Sequence, residues 1–161
     1  MLEDLPAEQR YPVVMGIQVF QHGDQDTAHA HLAAAAALVE PGGLLAIRVN
    51  ATDTDIAYDH ARLDHNQAGG FSITYHDGPK AGLNVHFVTD TELTSLLGDD
   101  FHSVLPPRLH STSHLPLHTG QWSQWEPSGD GTDPRLPTTR RPGHAASSTD
   151  MMEAAFPCAV G

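Results

Sequence analysis

Two apolar runs flank an alanine-rich segment in the first third of this chain. The first, Val13 to Phe20, is nearly unbroken and rich in β-branched residues, and the second is Leu44 to Val49. Such runs are typical of strands buried on both faces, as in a parallel sheet covered by helices. Between them, Asp24 to Val39 has a helical period, with apolar side chains along one face at Leu32, Ala35, Ala36 and Val39.

The ends of the alanine-rich segment carry helix-boundary residues. The side chain of Asp24 or Asp26 can accept hydrogen bonds from the free N–H groups of a first helical turn. Pro41 cannot continue a helix, and Gly42 or Gly43 can adopt the positive φ that turns the chain back. Strand, helix and strand in this order predict a βαβ unit.

Shorter patterns follow the βαβ unit. Residues 56–63 have a weak helical period, which predicts a short helix there. Residues 71–75 and 83–87 alternate apolar and polar side chains on either side of a His-Asp-Gly-Pro turn signal at 76–79. We therefore expect a hairpin-like excursion after the second strand.

A second helix and two last strands complete the expected elements. The helix covers 91–97, with Thr89 or Asp90 as its N-cap and Glu92 in the position of a capping box. Two strands antiparallel to each other are expected at 101–105 and 121–126, with an irregular segment at 109–117 between them.

Composition narrows the classes of function. The chain has 161 residues and a formal net charge of −12, from 20 acidic and 8 basic residues, which argues against nucleic acid or an anionic membrane as a partner. The single cysteine, Cys158, cannot form an internal disulfide and is typical of a reducing compartment. Charges and histidines interrupt every apolar run, and the N-terminus has no signal-peptide pattern, so we expect a cytoplasmic protein.

The chain divides into a folded part and a tail. Residues 1–126 are expected to form one α/β domain, but the acidic segment 1–10 leads directly into a buried strand. Compact α/β domains seldom begin in that way, so we expect that part of the domain precedes Met1. From Pro127 onward Pro, Gly, Ser, Thr and Arg dominate without periodicity, which predicts a disordered tail over 127–161.

Candidate site residues follow from the position of strand ends. Ligands of open parallel α/β sheets bind at the carboxyl ends of the strands, and Gln21 and His22 end the first predicted strand. His22 can act as a general base near neutral pH. The alternative is that His22 only closes the turn before the helix. Asn50 and Asp53 follow the second strand, where such residues are more often caps and turn formers.

The sequence motifs give little support for metal binding, phosphate binding or a serine nucleophile. The chain has 12 histidines, but His29 and His31 are two positions apart on a helix, and prolines interrupt the series His110, His114 and His118. We therefore expect no metal site, since no Cys or Glu accompanies these histidines at ligand spacing. A phosphate-binding P-loop and a serine nucleophile elbow are both absent from the sequence.

The order of these segments resembles the second half of a class I S-adenosylmethionine-dependent methyltransferase domain. That family has an acidic D-L-P loop, a fourth strand running to a terminal His, and a helix that ends L-x-P-G-G before the fifth strand. An H-F-x-T-x-x-E-L segment then starts the next helix, and a seventh, antiparallel strand closes the sheet. The similar segments here, over 1–126, are Asp4-Leu5-Pro6, Tyr11-Pro12-Val13-Val14, Phe20-Gln21-His22, Leu38 to Gly43, Val85 to Leu93 and Gly120 to Glu126.

This resemblance implies a partial Rossmann-like methyltransferase sheet, truncated at its N-terminus, with a βαβ core, a hairpin-like excursion and an antiparallel closing strand. It implies S-adenosylmethionine as cofactor and methyl transfer to a small-molecule acceptor. The site residues that it implies are Leu2, Met15, Gly16 and Ile17 for the cofactor, Gln21 for the substrate and His22 for catalysis.

Two departures from the family pattern leave alternatives open. Pro12 stands where the family usually has Asp, and the sequence contains neither a G-x-G-x-G loop nor an acidic residue on a preceding strand to hold the ribose. One alternative is a non-catalytic remnant, or a half-domain that self-associates or binds a partner chain through the exposed edge of Val13 to Phe20. Another is an α/β binding domain of unrelated function.

Overall fold

The computed structural model describes residues 8–98, 101–114 and 120–131, which form two sheets and two α-helices. A 3-10 turn, Gly78–Lys80, lies between two of the strands. In chain order the elements are β1 (Tyr11–Ile17), α1 (Gln25–Ala37), β2 (Val39–Asn50), β3 (His60–His65), β4 (Phe71–Tyr75), β5 (Asn84–Phe87), α2 (Asp90–Leu97), β6 (Phe101–Ser113) and β7 (Gln121–Gly131).

The larger sheet has the strand order β1-β2-β7-β6. β1 and β2 are parallel, with Met15 opposite Ala46, while β7 runs antiparallel to both of its neighbours, with Trp125 opposite Val49. The predicted βαβ unit and the antiparallel closing strand are therefore confirmed. β1 lies at one edge of this sheet and β6 at the other.

α1 connects the two parallel strands and covers one face of the sheet. The Asp24 side chain accepts a hydrogen bond from the Thr27 N–H at 3.0 Å and so caps the helix as predicted. Leu32 and Ala35 are buried in a core that also contains Leu45 of β2. Neither described helix has the length and apolar character needed to span a bilayer.

β2 begins earlier than the pattern predicted, at Val39 rather than Leu44. Val39 lies opposite Tyr11, whose N–H donates to the Leu38 carbonyl at 2.8 Å, so pairing with β1 begins directly after α1. Gly42 has a φ of 77° and lies inside the strand, before the regular pairing that starts at Leu44.

The smaller sheet has the strand order β3-β4-β5 and is antiparallel throughout. Its β4–β5 pair confirms the predicted hairpin. The short helix predicted at 56–63 is wrong, because residues 60–65 pair with β4 as a strand. The Arg62 guanidinium lies 4.0 Å from the centre of the Phe71 ring across this pair, a cation–π contact that a helix would not make.

Backbone hydrogen bonds tie the two sheets together at the carboxyl ends of β1 and β2. After β1, the Gln21 carbonyl accepts from the His86 N–H at 2.8 Å, and the Gly23 N–H donates to the Asn84 carbonyl at 2.9 Å. After β2, the Asn50 carbonyl accepts from the Val88 N–H at 2.9 Å. Both strand ends are thus held against β5.

The last elements extend further than the sequence indicated. The capping box of α2 is present, but β6 continues through Ser113 and the irregular segment predicted from residue 109 is wrong there. β7 continues to Gly131, past the expected tail boundary at 127. Both strands contain prolines, which argue against a regular strand when only the sequence is considered. In the structure Pro127 of β7 lies opposite a register shift in β6, between Leu105 and Arg108, where the regular pairing is interrupted. The rest of the predicted tail, 132–161, lies outside the described residues.

The Leu32→Asp substitution tests the buried face of α1. Leu32 is 2% exposed, and loss of such a leucine alone costs about 2–5 kcal/mol, to which a buried unpaired carboxylate adds. We expect the variant to lose its cooperative thermal unfolding transition, measured by circular dichroism. The matched control is Ala34→Asp on the exposed face of the same helix, which should keep the transition. An unchanged transition in Leu32→Asp would contradict this packing.

Candidate functional site

The chain leaves β1 through a strained residue. Gln18 follows Ile17 and has a φ of 57°, and it is the one non-glycine residue of the described chain with a positive φ. Its N–H still donates to the Arg48 carbonyl of β2 at 2.8 Å, so the turn is fixed by the sheet. Residues held in this region of φ cluster at functional sites, because the surrounding structure must compensate the strain.

The proposed cofactor residues lie at this end of β1, but not on one face. Met15 and Ile17 are 66% and 54% exposed on one face of the strand. Gly16 faces the other way and is buried, and a side chain there would collide with the Phe20 ring. Leu2 lies outside the described residues. The structure therefore leaves the Met15 and Ile17 side chains exposed, whereas Gly16 allows a close approach within the core.

Gln21 and His22 differ sharply in exposure. Gln21 is 3% exposed, and its side-chain oxygen is buried with no hydrogen-bond partner among the described residues. An unsatisfied buried oxygen costs about 1–3 kcal/mol, so it is a position where a ligand donor would be stabilising. His22 is exposed, and its backbone bridges to Val85 of β5.

A buried carboxylate joins three elements of the fold. Glu92 of α2 accepts hydrogen bonds on Oε1 from His29 Nε2 of α1 at 2.6 Å and from His86 Nε2 of β5 at 2.9 Å. Asn66 Nδ2 donates to the same oxygen at 2.6 Å. The Ser72 hydroxyl lies 2.9 Å from the other ring nitrogen of His86. We name these residues the Glu92 network.

This network was not predicted from the sequence. No glutamate was expected at metal-ligand spacing from the histidines, but the fold places Glu92 between His29 and His86. The ligand atoms of His29, His86 and Glu92 lie within 4.8 Å of one another, and two His with one Glu is a donor set that zinc accepts. The three groups nevertheless already satisfy one another by hydrogen bonds. The arrangement therefore has a structural role without an ion, because it connects α1, β5 and α2.

The protonation state of Glu92 follows from two opposing effects. Burial raises the pKa of this carboxyl, but the hydrogen bonds and charges of His86 and His29 outweigh burial and leave the pKa below its ordinary value. The carboxylate is consequently charged near neutral pH, and it holds the two histidines as hydrogen-bond donors.

A cavity of about 250 Å³ opens at the carboxyl end of β2, between β7 and the smaller sheet. Four of its twelve lining residues are Tyr, Phe or Trp, and the Trp122 Nε1–H donates to Asn50 Oδ1 at 3.0 Å, which fixes the indole at the strand end. We name it the β2 cavity. The residues that define it here are Asn50, Asp55, Tyr58, Tyr75, Lys80 and Trp122.

Lys80 brings a cation to the β2 cavity. Its Nζ lies 4.6 Å from the centre of the Trp122 ring and 5.7 Å from that of the Tyr75 ring. Burial lowers the pKa of Lys80, and burial, with Tyr58 nearby, raises the pKa of Tyr75. A second hollow, of about 450 Å³, lies at the opposite end of β2 and is lined mainly by alanine, leucine and proline. The β2 cavity is the one at the strand end where α/β sheets bind ligands.

Comparison with solved structures identifies the fold. The chain is similar to the Burkholderia thailandensis 1,6-didemethyltoxoflavin-N1-methyltransferase, crystallised with bound 1,6-didemethyltoxoflavin and S-adenosylhomocysteine. The identity is 19% and the TM-score 0.51, over 82% of this chain and 48% of that one. This chain therefore has part of the class I S-adenosylmethionine-dependent methyltransferase fold, with an open sheet, as the resemblance implied.

Two further solved structures are less similar to this chain. The CcbJ methyltransferase from Streptomyces caelestis has a TM-score of 0.46 at 13% identity, over 83% of this chain and 62% of that one. A Clostridium acetobutylicum S-adenosylmethionine-dependent methyltransferase has a TM-score of 0.42 at 9% identity, over 83% and 63%. No family model and no curated protein matches. The chain spans about half to two thirds of the length of these solved structures.

The Glu92→Gln substitution tests the Glu92 network through pH. Because the folded pKa of Glu92 is lowered, the carboxylate stabilises the fold above its ordinary pKa of 4.5, and this stabilisation is lost as pH falls through the folded value. Near neutral pH we expect Glu92→Gln to lower the free energy of unfolding by about 1–3 kcal/mol. The difference from wild type should close below pH 4.5 in urea titrations.

The control for this prediction is Asp90→Asn, which removes an exposed acid from the first turn of the same helix. It should cost about 0.5 kcal/mol through the helix dipole alone. A loss in Glu92→Gln no larger than in this control would show that the network does not stabilise the fold.

Proposed function

We propose that this chain is an S-adenosylmethionine-dependent methyltransferase domain acting on a small-molecule acceptor. The observation that carries the proposal is the sheet, whose order β1-β2-β7-β6 accompanies the similarity to a solved small-molecule methyltransferase. That protein was crystallised with both 1,6-didemethyltoxoflavin and S-adenosylhomocysteine bound. The net charge of −12 supports a small acceptor over nucleic acid, and a cytoplasmic location is part of the same proposal.

The described residues fit one side of the cofactor. Met15 and Ile17 present apolar side chains at the carboxyl end of β1, where we place the methionine part of S-adenosylmethionine. Gly16 keeps the strand close to Phe20 there, and Leu2 is proposed beside the adenine. The sequence has no glycine-rich loop for the rest of the cofactor.

The acceptor side follows from the residues after β1. The buried, unpaired oxygen of Gln21 can accept a hydrogen bond from an N–H or O–H group of the acceptor. His22 is proposed as the base that takes the acceptor's proton, and its exposure leaves the imidazole accessible. The bound cofactor supplies an activated methyl group, so orienting the acceptor is the main contribution required of the protein.

A second candidate function is a half-domain completed by another chain. Three apolar side chains on one face of the edge strand β1, those of Val13, Met15 and Ile17, are at least half exposed, and so is Val19 just after the strand. An open strand edge with an apolar face favours association, because both its N–H groups and its side chains are left to solvent. In this form the chain binds through β1, either to a second copy or to a chain that carries the cofactor loop.

Titration with S-adenosylhomocysteine by calorimetry tests the first proposal. We expect binding in the micromolar range for wild type and about tenfold weaker binding for Met15→Glu, which places a charge against the methionine part. The control is Val104→Glu, at an exposed apolar position of the opposite edge strand β6, which should bind like wild type. No heat at millimolar ligand would rule out autonomous catalysis and favour the second candidate.

Analytical ultracentrifugation tests the second candidate. If β1 is an association edge, wild type should sediment as a dimer or larger species, and Val13→Lys should shift it toward monomer because a charge opposes burial of that face. Val104→Lys is the matched control and should sediment like wild type. A monomer at all concentrations, with no change in Val13→Lys, would contradict self-association.

A further inference from the structure

We propose that the β2 cavity binds a planar aromatic small molecule carrying a carboxylate or similar anionic group, and that Lys80 pairs with this group. Neither Gln21 nor His22 lines this cavity, so the inference concerns a binding site beyond the acceptor contacts proposed above. It depends only on the cavity.

The walls favour a flat apolar ligand. The rings of Tyr58, Tyr75 and Trp122 line the cavity, and Phe87 lies beside them. Aromatic faces gain most from another ring in an offset or edge-on arrangement. The volume of about 250 Å³ lies below the usual range for drug-sized ligands, so it suits a molecule of one or two rings.

Lys80 supplies the preference for an anion. Lys80 ends the 3-10 turn Gly78–Lys80. Gly78 has a φ of 73° and allows the turn to lie close to Tyr58, because any side chain there would collide with the tyrosine ring. No ion pair joins Lys80 to a carboxylate of the described chain. A partly buried ammonium without a counterion is costly, and an anionic ligand would offset that cost.

A cationic ligand is disfavoured by the same geometry. Aromatic rings attract cations, but the Lys80 ammonium already lies near the Trp122 and Tyr75 rings. A second positive charge in the cavity would be repelled by the first.

Asp55 provides a charge of opposite sign at the rim. Its Oδ2 accepts a hydrogen bond from the Gln121 N–H at 2.9 Å, and its backbone carbonyl lies 2.8 Å from His114 Nε2. The carboxylate is exposed and should weaken anion binding slightly through repulsion. An asparagine can keep the hydrogen bond from the Gln121 N–H without the charge. We therefore expect Asp55→Asn to strengthen anion binding, whereas loss of Lys80 should weaken it.

The test uses two probes of nearly equal shape, 1-naphthoate and the neutral 1-naphthamide, titrated by calorimetry at one pH near neutrality. We expect naphthoate to bind wild type about tenfold more tightly than naphthamide. Lys80→Met should abolish this difference by weakening naphthoate alone, and Asp55→Asn should tighten naphthoate by about twofold. Trp122→Leu should weaken both probes.

The control is Arg108→Met, which removes an exposed cation from β6 and should leave both affinities unchanged. All variants are compared only after their unfolding transitions match that of wild type, and Lys80→Gln replaces Lys80→Met if the latter unfolds. Equal affinity for the two probes, or naphthoate binding that survives the loss of Lys80, would overturn the inference.

The outcome is separable from that of the proposed function, because neither probe requires the cofactor. Selective naphthoate binding without S-adenosylhomocysteine binding would support the cavity and contradict the methyltransferase activity. Cofactor binding without naphthoate selectivity would support the activity and overturn the ligand class.

Discussion

The fold depends on β2 being hydrogen-bonded along both of its edges. It pairs in parallel with β1 and antiparallel with β7, and its side chains Ile47 and Val49 are buried. The same strand positions the candidate site. At its carboxyl end the Asn50 carbonyl accepts from Val88, the residue after β5, while the Asn50 side chain holds the Trp122 indole. The position of the β2 cavity is therefore set by a strand that is paired along both of its edges.

The local part of this architecture could be predicted from the sequence. Asp24 caps the start of α1 from the adjacent sequence, and the capping box of α2 is equally local. The end of α1 was not predicted, because β2 starts at Val39 through pairing with Tyr11. β3 could not be predicted, because its residues 60–65 are mostly polar and exposed and become a strand only by pairing with β4. The extensions of β6 and β7 were likewise missed. Each strand is extended by pairing with the other, and the prolines in both argue against strands in the sequence alone.

The residues of the candidate site, too, could be predicted only in part from the sequence. Gln21 and His22 were predicted from their position at a strand end, and the structure separates them into a buried residue and an exposed one. Glu92 was predicted only as a cap, because nothing local to it shows that His29, far away in sequence, reaches its carboxylate. Lys80 and Trp122 meet only through the packing of one sheet on the other, and a turn lysine has no pattern that predicts an aromatic cavity.

The central claim is that this chain forms the β1-β2-β7-β6 part of a methyltransferase sheet, with β1 as an open edge. The Gln18 N–H donates to β2, so alternation along the strand directs the N–H groups of Val14 and Gly16 to β2 and those of Met15 and Ile17 outward. Residue-resolved hydrogen exchange by NMR in dilute solution tests this directly. We expect slow exchange at Val14 and Gly16 and fast exchange at Met15 and Ile17. Equal protection of all four amides would contradict it.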